Sequence, residues 1–136
     1  MTRLNLPFTL NDPELLYPLC YVGGKWVASS SGQVFSVEDP GSGAQWIECP
    51  DSVPADANVA VQSSYDAFQS YSQTPPRTRA KLLARWYDLI QAAKDDLARV
   101  IVYETGKPLA EAYAELDYGS SFVWWFSGEA DRIHGS

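Results

Sequence analysis

A helix break at residues 104–108 is the feature that most constrains how this chain can fold. It lies inside the stretch from Thr74 to Gly135, between two segments with helical spacing of apolar residues. Gly106 can take the left-handed conformation that closes a helix. Pro108 fits the first turn of the next helix, where its missing N–H is not needed. The sequence therefore predicts two helices that meet at a sharp corner.

Helical periodicity continues on both sides of this break. Apolar residues recur at spacings of three and four, and prolines stand near the predicted helix starts. We predict four helices, over residues 54–72, 76–93, 95–105 and 108–134, with Thr74 capping the second. The residues predicted to be buried are Leu83, Trp86, Leu89, Ile101, Leu116 and Phe126. Residues 122–126 place large apolar side chains on more than one face, so one neighbouring layer cannot cover them all.

The first third of the chain has the pattern of β-strands. Gly23 and Gly24 separate two short β-prone runs and can supply the positive φ angles of a two-residue hairpin. Runs at residues 33–38 and 44–49 flank a dense turn signal at residues 39–43. We predict an antiparallel β-meander from about Cys20 to Cys49. Residues 1–19 are interrupted by three prolines and are predicted to be an arm on a surface.

Charge and composition argue against several classes of function. The formal net charge is -7 and no Lys/Arg cluster stands out, which argues against nucleic acid as a partner. No window approaches the roughly 20 apolar residues of a membrane span. No leader peptide is visible, so we expect a cytoplasmic protein, with the mitochondrion as the alternative. Cys20 and Cys49 are accordingly expected to be reduced thiols.

The residues by themselves do not declare an active site. His134, the one histidine, is expected to cap the end of the last helix rather than act as a base. No Cys or His has a companion at zinc spacing, and the glycine pairs lack a phosphate-binding pattern. The acidic pairs Asp95–Asp96 and Glu111–Glu115 are expected on solvated faces.

The order of the motifs nevertheless resembles one family. Residues 21–27, 39–43, 67–68, 82–90, 95–98 and 104–112 follow one another as in the amino-terminal part of an aldehyde dehydrogenase. The tail from Tyr118 to Gly135 is most similar to the succinate-semialdehyde dehydrogenase branch. Trp124 and Gly128 depart from that branch, which more often has glutamates there. Val53 stands where a capping hydroxyl is common, although Ser52 could replace it.

The resemblance implies a fold class and an activity. The fold would be the α/β aldehyde dehydrogenase fold, with residues 20–136 forming an incomplete amino-terminal part of the Rossmann-like NAD(P)-binding domain. This part would comprise the β-meander and the four-helix layer. The complete enzyme would oxidise an aldehyde, succinate semialdehyde first, to the carboxylate in GABA degradation. A cysteine thiohemiacetal would pass hydride to NAD or NADP, and a homo-oligomer is implied as well.

The resemblance transfers few site residues to this chain. Neither Cys20 nor Cys49 matches the nucleophile motif, and the cofactor-binding residues belong to later segments. No catalytic or cofactor-binding residue is therefore assigned, and the chain alone is expected to bind no cofactor and to be inactive. Glu38 and Glu104 resemble positions that help form a monovalent-cation site in some members. The alternative is a non-enzymatic module that associates, through an exposed helical face, with a full-length dehydrogenase or another partner.

Overall fold

The computed structural model describes residues 5–133, and these fall into two compact units that divide between Ser72 and Gln73. In the first unit, β1 (Cys20–Val22) pairs antiparallel with β2 (Lys25–Val27). Gly23 and Gly24 have φ angles of 58° and 77°, so the predicted two-residue hairpin is confirmed. Next, β3 (Val34–Glu38) pairs antiparallel with β4 (Gln45–Pro50). The unit ends with α1 (Pro54–Tyr71).

The predicted continuous meander is wrong. Among the described residues the strands form two separate two-stranded sheets, and β2 does not pair with β3. The reason is the conformation of the loop at residues 28–33. This loop forms a turn in which the Gly32 N–H donates a hydrogen bond to the Ser29 carbonyl (3.0 Å). The same loop donates hydrogen bonds to Asp56 at the start of α1. It therefore joins the first hairpin to a helix rather than to the next strand.

The amino-terminal arm packs on the first unit through aromatic side chains. The rings of Phe8 and Trp46 lie 5.5 Å apart, and Tyr17 stacks on Trp26 at 4.6 Å. Leu10 and Trp46 are buried, whereas α1 buries none of its residues. The small core of this unit thus lies between the arm and the second hairpin.

The second unit consists of three helices, α2 (Pro76–Ala92), α3 (Lys94–Thr105) and α4 (Leu109–Glu129). Gly106 ends α3 in the left-handed conformation with φ of 71°, and its N–H donates to the Val102 carbonyl (2.8 Å). The predicted corner and helix order are confirmed, although α4 ends at Glu129 rather than at residue 134. No helix within residues 5–133 combines the length and apolarity that crossing a bilayer requires.

Two helix starts differ from expectation because of where proline and carboxylate groups stand. The predicted cap Thr74 is wrong: Pro76 occupies the first turn of α2, so the capping position falls to Pro75, which has no hydroxyl. At α1 neither Val53 nor Ser52 caps with a side chain. Instead the Val53 N–H donates to the Asp56 carboxylate (3.0 Å), which closes the helix start from inside the first turn.

The interior of the second unit is built from small side chains. Its buried apolar residues are all alanines, and Ala98 and Ala112 are 0% exposed. The predicted burial is wrong for three large residues, which remain exposed: Trp86 (55%), Leu89 (49%) and Phe126 (55%). Leu83, Ile101 and Leu116 are partly buried. The periodicity identified apolar helix faces, but three helices have too few neighbours to cover every one of them.

Candidate functional site

The two glutamates predicted to bind a monovalent cation lie in different units. Glu38 ends β3 in the first unit and Glu104 lies in the last turn of α3 in the second, and both are exposed. Within the part of the chain that the structure describes, no three His, Cys, Asp or Glu residues cluster as a metal site would require. A shared role for Glu38 and Glu104 stays a prediction.

Neither cysteine forms a disulfide, and both are partly buried. Cys20 begins β1, with its Sγ 3.6 Å from the Ser52 hydroxyl, which is not a base. Cys49 lies in β4 opposite Phe35. His134, the predicted helix cap, lies outside the described residues. A neighbouring hydroxyl does not activate a thiol as an adjacent general base does, so the contact of Cys20 with Ser52 is not that of a nucleophilic cysteine.

Several hydrogen bonds converge on Asp56 and form a polar cluster in the first unit. The buried Ser29 hydroxyl donates to the Asp56 carboxylate (3.1 Å), and the Ser30 N–H donates to the same group (3.2 Å). Hydrogen bonds from Ser30, and then from the Val53 N–H, lower the pKa of Asp56. Because each carboxylate oxygen already accepts bonds, Asp56 organises the loop and the helix start rather than acting as a base.

An apolar cavity adjoins this cluster within the first unit. Its volume is about 700 Å³, and it lies between the first hairpin and the first turns of α1. Valine side chains dominate its walls, while Cys20, Asp56 and Ser63 supply polar atoms. No sequence pattern indicates this cavity, because its walls come from two separate segments, residues 20–30 and 52–63.

The acidic pairs of the second unit do not form a catalytic carboxylate pair. The expectation that Asp96 lies on a solvated face is wrong: it is buried, and it accepts a hydrogen bond from Arg99 Nη1 (3.1 Å). Its place in the first turn of α3 lets the helix dipole stabilise its charge. Asp95 is exposed and accepts a bond from the Tyr113 hydroxyl (2.9 Å). That bond, first among the causes, raises the pKa of Tyr113.

Ion pairs join α3 and its following turn to α4. Lys94 at the start of α3 pairs with Asp117, and its ammonium lies 5.7 Å from the centre of the Tyr113 ring. Lys107, in the turn between the helices, pairs with Glu115 about two turns beyond the corner. These contacts stabilise the corner between α3 and α4.

One exposed apolar stripe runs along α2. Leu82, Trp86 and Leu89 follow one another at spacings of four and three, which places them on one side of the helix. All three are exposed, whereas Ala80 on the opposite side is buried. We call these three residues the α2 stripe.

A second exposed apolar stripe runs along α4. Its members, at spacings of four, three and one, are Tyr118, Phe122, Trp125 and Phe126. Tyr118 and Phe122 contact each other edge to face at 5.0 Å. The residues facing the other helices are instead small, with Ala112 and Ser120 buried. In both α2 and α4, the side with small residues is covered by the other helices of the unit. The side that carries the large apolar residues is exposed.

Arg79 lies beside the α2 stripe, one turn before Leu82. Its Nε is buried and has no hydrogen-bond partner among the described residues. Nearly all buried polar groups in proteins have partners, so this donor is an exception among the described residues. Sequence patterns identified Arg79 only as a polar residue of α2, because an unsatisfied donor has no sequence signature.

The described residues do not fit a dinucleotide by themselves. Binding of a pyrophosphate at a helix start normally needs a parallel strand and a glycine-rich turn into the helix. Both sheets within residues 5–133 are antiparallel hairpins, and α1 follows β4 through residues 51–53, which contain no glycine. The described residues therefore do not form a strand–turn–helix unit that would hold a nicotinamide dinucleotide.

Comparison with known proteins identifies the family whose sequences this chain matches. The sequence profile of the aldehyde dehydrogenase family matches residues 26–136. The chain is 42% identical over 126 residues to 3-sulfolactaldehyde dehydrogenase from Pseudomonas putida, covering 93% of this chain and 26% of that protein. It is 40% identical over 128 residues to succinate-semialdehyde dehydrogenase [NADP(+)] from Saccharomyces cerevisiae, covering 94% and 26%.

Solved structures give the same result for the fold. The crystal structure of succinate-semialdehyde dehydrogenase from Burkholderia pseudomallei superposes with a TM-score of 0.91 at 37% identity, over 95% of this chain and 27% of that one. The predicted fold class is confirmed. The chain spans about a quarter of the length of these relatives.

Proposed function

Since this chain belongs to the aldehyde dehydrogenase family, we propose that it is the amino-terminal portion of an NAD(P)-dependent enzyme that oxidises succinate semialdehyde to the carboxylate. The observation that supports this substrate is the 40% identity to the yeast enzyme across 94% of this chain. NADP is supported by the name of that relative, and NAD remains the alternative cofactor. GABA degradation is the process in which the complete enzyme would act.

The relatives together support a class of substrate wider than one compound. Succinate semialdehyde carries a carboxylate and 3-sulfolactaldehyde carries a sulfonate, so both are small aldehydes with an anionic group. The cavity near Asp56 is apolar and borders a carboxylate, which does not suit the binding of an anionic group. The residues that select the substrate would therefore belong to the rest of the enzyme.

We further propose that residues 1–136 alone do not catalyse the reaction. The covalent mechanism of the family needs an activated thiolate, and removing the nucleophile from such a site lowers the rate by orders of magnitude. Cys20 lies beside a serine hydroxyl and Cys49 lies within a hairpin strand. Neither cysteine matches the nucleophile motif of the family, which supports the proposal.

The experiment that tests both statements compares two proteins. The purified chain and the product of the complete reading frame are incubated with succinate semialdehyde and NADP or NAD, and the reduced cofactor is measured by absorbance. We expect turnover only by the longer product. Turnover by the chain alone that is lost in Cys49→Ala would contradict the assignment of the catalytic centre to other segments.

A second candidate function, association without catalysis, is favoured by the exposed stripes of α2 and α4. Contiguous exposed apolar patches often mark contact surfaces. A reading frame that stops at Ser136 would support this candidate, and a frame that continues would support the enzyme. Cell fractionation would decide between the cytoplasm, which we propose, and the mitochondrion.

A further inference from the structure

We draw no further inference here: the strongest candidate, the apolar cavity between the first hairpin and the first turns of α1, is an unpartnered apolar surface, and nothing in the structure shows what covers it.

Discussion

The two units of this chain are stabilised by different kinds of contact. The first is held by directional contacts, namely the stacked aromatic rings of the arm and the hydrogen bonds that converge on Asp56. The interior of the second is built by shape, because alanines and a serine let three helices approach closely, and its ion pairs lie at the corner between α3 and α4 and on the surface. Because small residues form the interior of the second unit, many of its large apolar side chains remain exposed. The comparison teaches that apolar content alone does not show which face of a helix is the interior.

The largest expected change in stability follows from enlarging a buried alanine of the second unit. Ala112 is 0% exposed, so Ala112→Leu would force α4 away from its neighbours and should cost about 1–3 kcal/mol of unfolding free energy. Urea unfolding followed by circular dichroism measures the change. Ala114→Leu, on an exposed side of the same helix, is the control and should change little. Equal effects at the two positions would show that the helices are loosely packed.

A somewhat smaller effect should follow from changing the corner between α3 and α4. Gly106→Ala places a side chain at φ of 71° and should cost about 1–2 kcal/mol, because the left-handed conformation is unfavourable for alanine. Gly128→Ala is the matched control inside α4, where an added Cβ meets open space. It should raise stability by up to about 1 kcal/mol. If both substitutions raised the unfolding free energy, the effect of Gly106→Ala would reflect helix propensity rather than the left-handed conformation at the corner.

Acid should weaken the first unit more than the second. The pKa of Asp56 is lowered in the folded state, so its stabilisation is complete above the ordinary value of 3.8 and is lost as the pH falls below it. Hydrogen exchange of the Ser30 and Val53 amides, compared between neutral pH and acid, should show this loss. Asp56→Asn should reduce the pH dependence, whereas Asp88→Asn in α2 should not. An unchanged profile in Asp56→Asn would assign the acid sensitivity to other carboxyl groups, such as Asp39, whose pKa hydrogen bonds from Ser42 and Gly41 also lower.

The smallest expected effect concerns a surface ion pair of the second unit. Arg77 is 76% exposed where it meets Asp131, so Arg77→Ala should cost no more than about 0.5 kcal/mol. High salt should remove even this difference, as surface pairs are screened. A larger, salt-resistant loss would mean that directional contacts also close this unit, which would weaken the comparison.

Sequence reasoning located the helices well because their ends are set locally. Proline at residues 54 and 76, and Gly106 with Pro108, act within one turn of where they stand. Strand pairing was predictable inside each hairpin for the same reason. The pairing between hairpins was not, because it depends on where the loop at residues 28–33 finds its hydrogen-bond acceptors.

Burial and site geometry were less accessible to sequence reasoning. Trp86, Leu89 and Phe126 lie on apolar faces, but whether a face is covered depends on the partners available to it. Asp96 was expected in solvent because a carboxylate usually is, and its burial depends on the fold around the start of α3. The joint role of Glu38 and Glu104 was inferred by resemblance, and their separate units leave it a prediction.

The alanine interior has a consequence for conformational entropy. Alanine has no side-chain rotamers to lose, so closing the three helices restricts few side-chain torsions. The tryptophans, phenylalanines and leucines of the stripes keep much of their rotational freedom in water. Any layer that covers them must therefore bear that ordering cost, roughly 0.5–1.5 kcal/mol for each side chain that it immobilises. Aromatic side-chain relaxation measured by NMR would then show fast motion in the α2 and α4 stripes, and its loss would report the arrival of the covering layer.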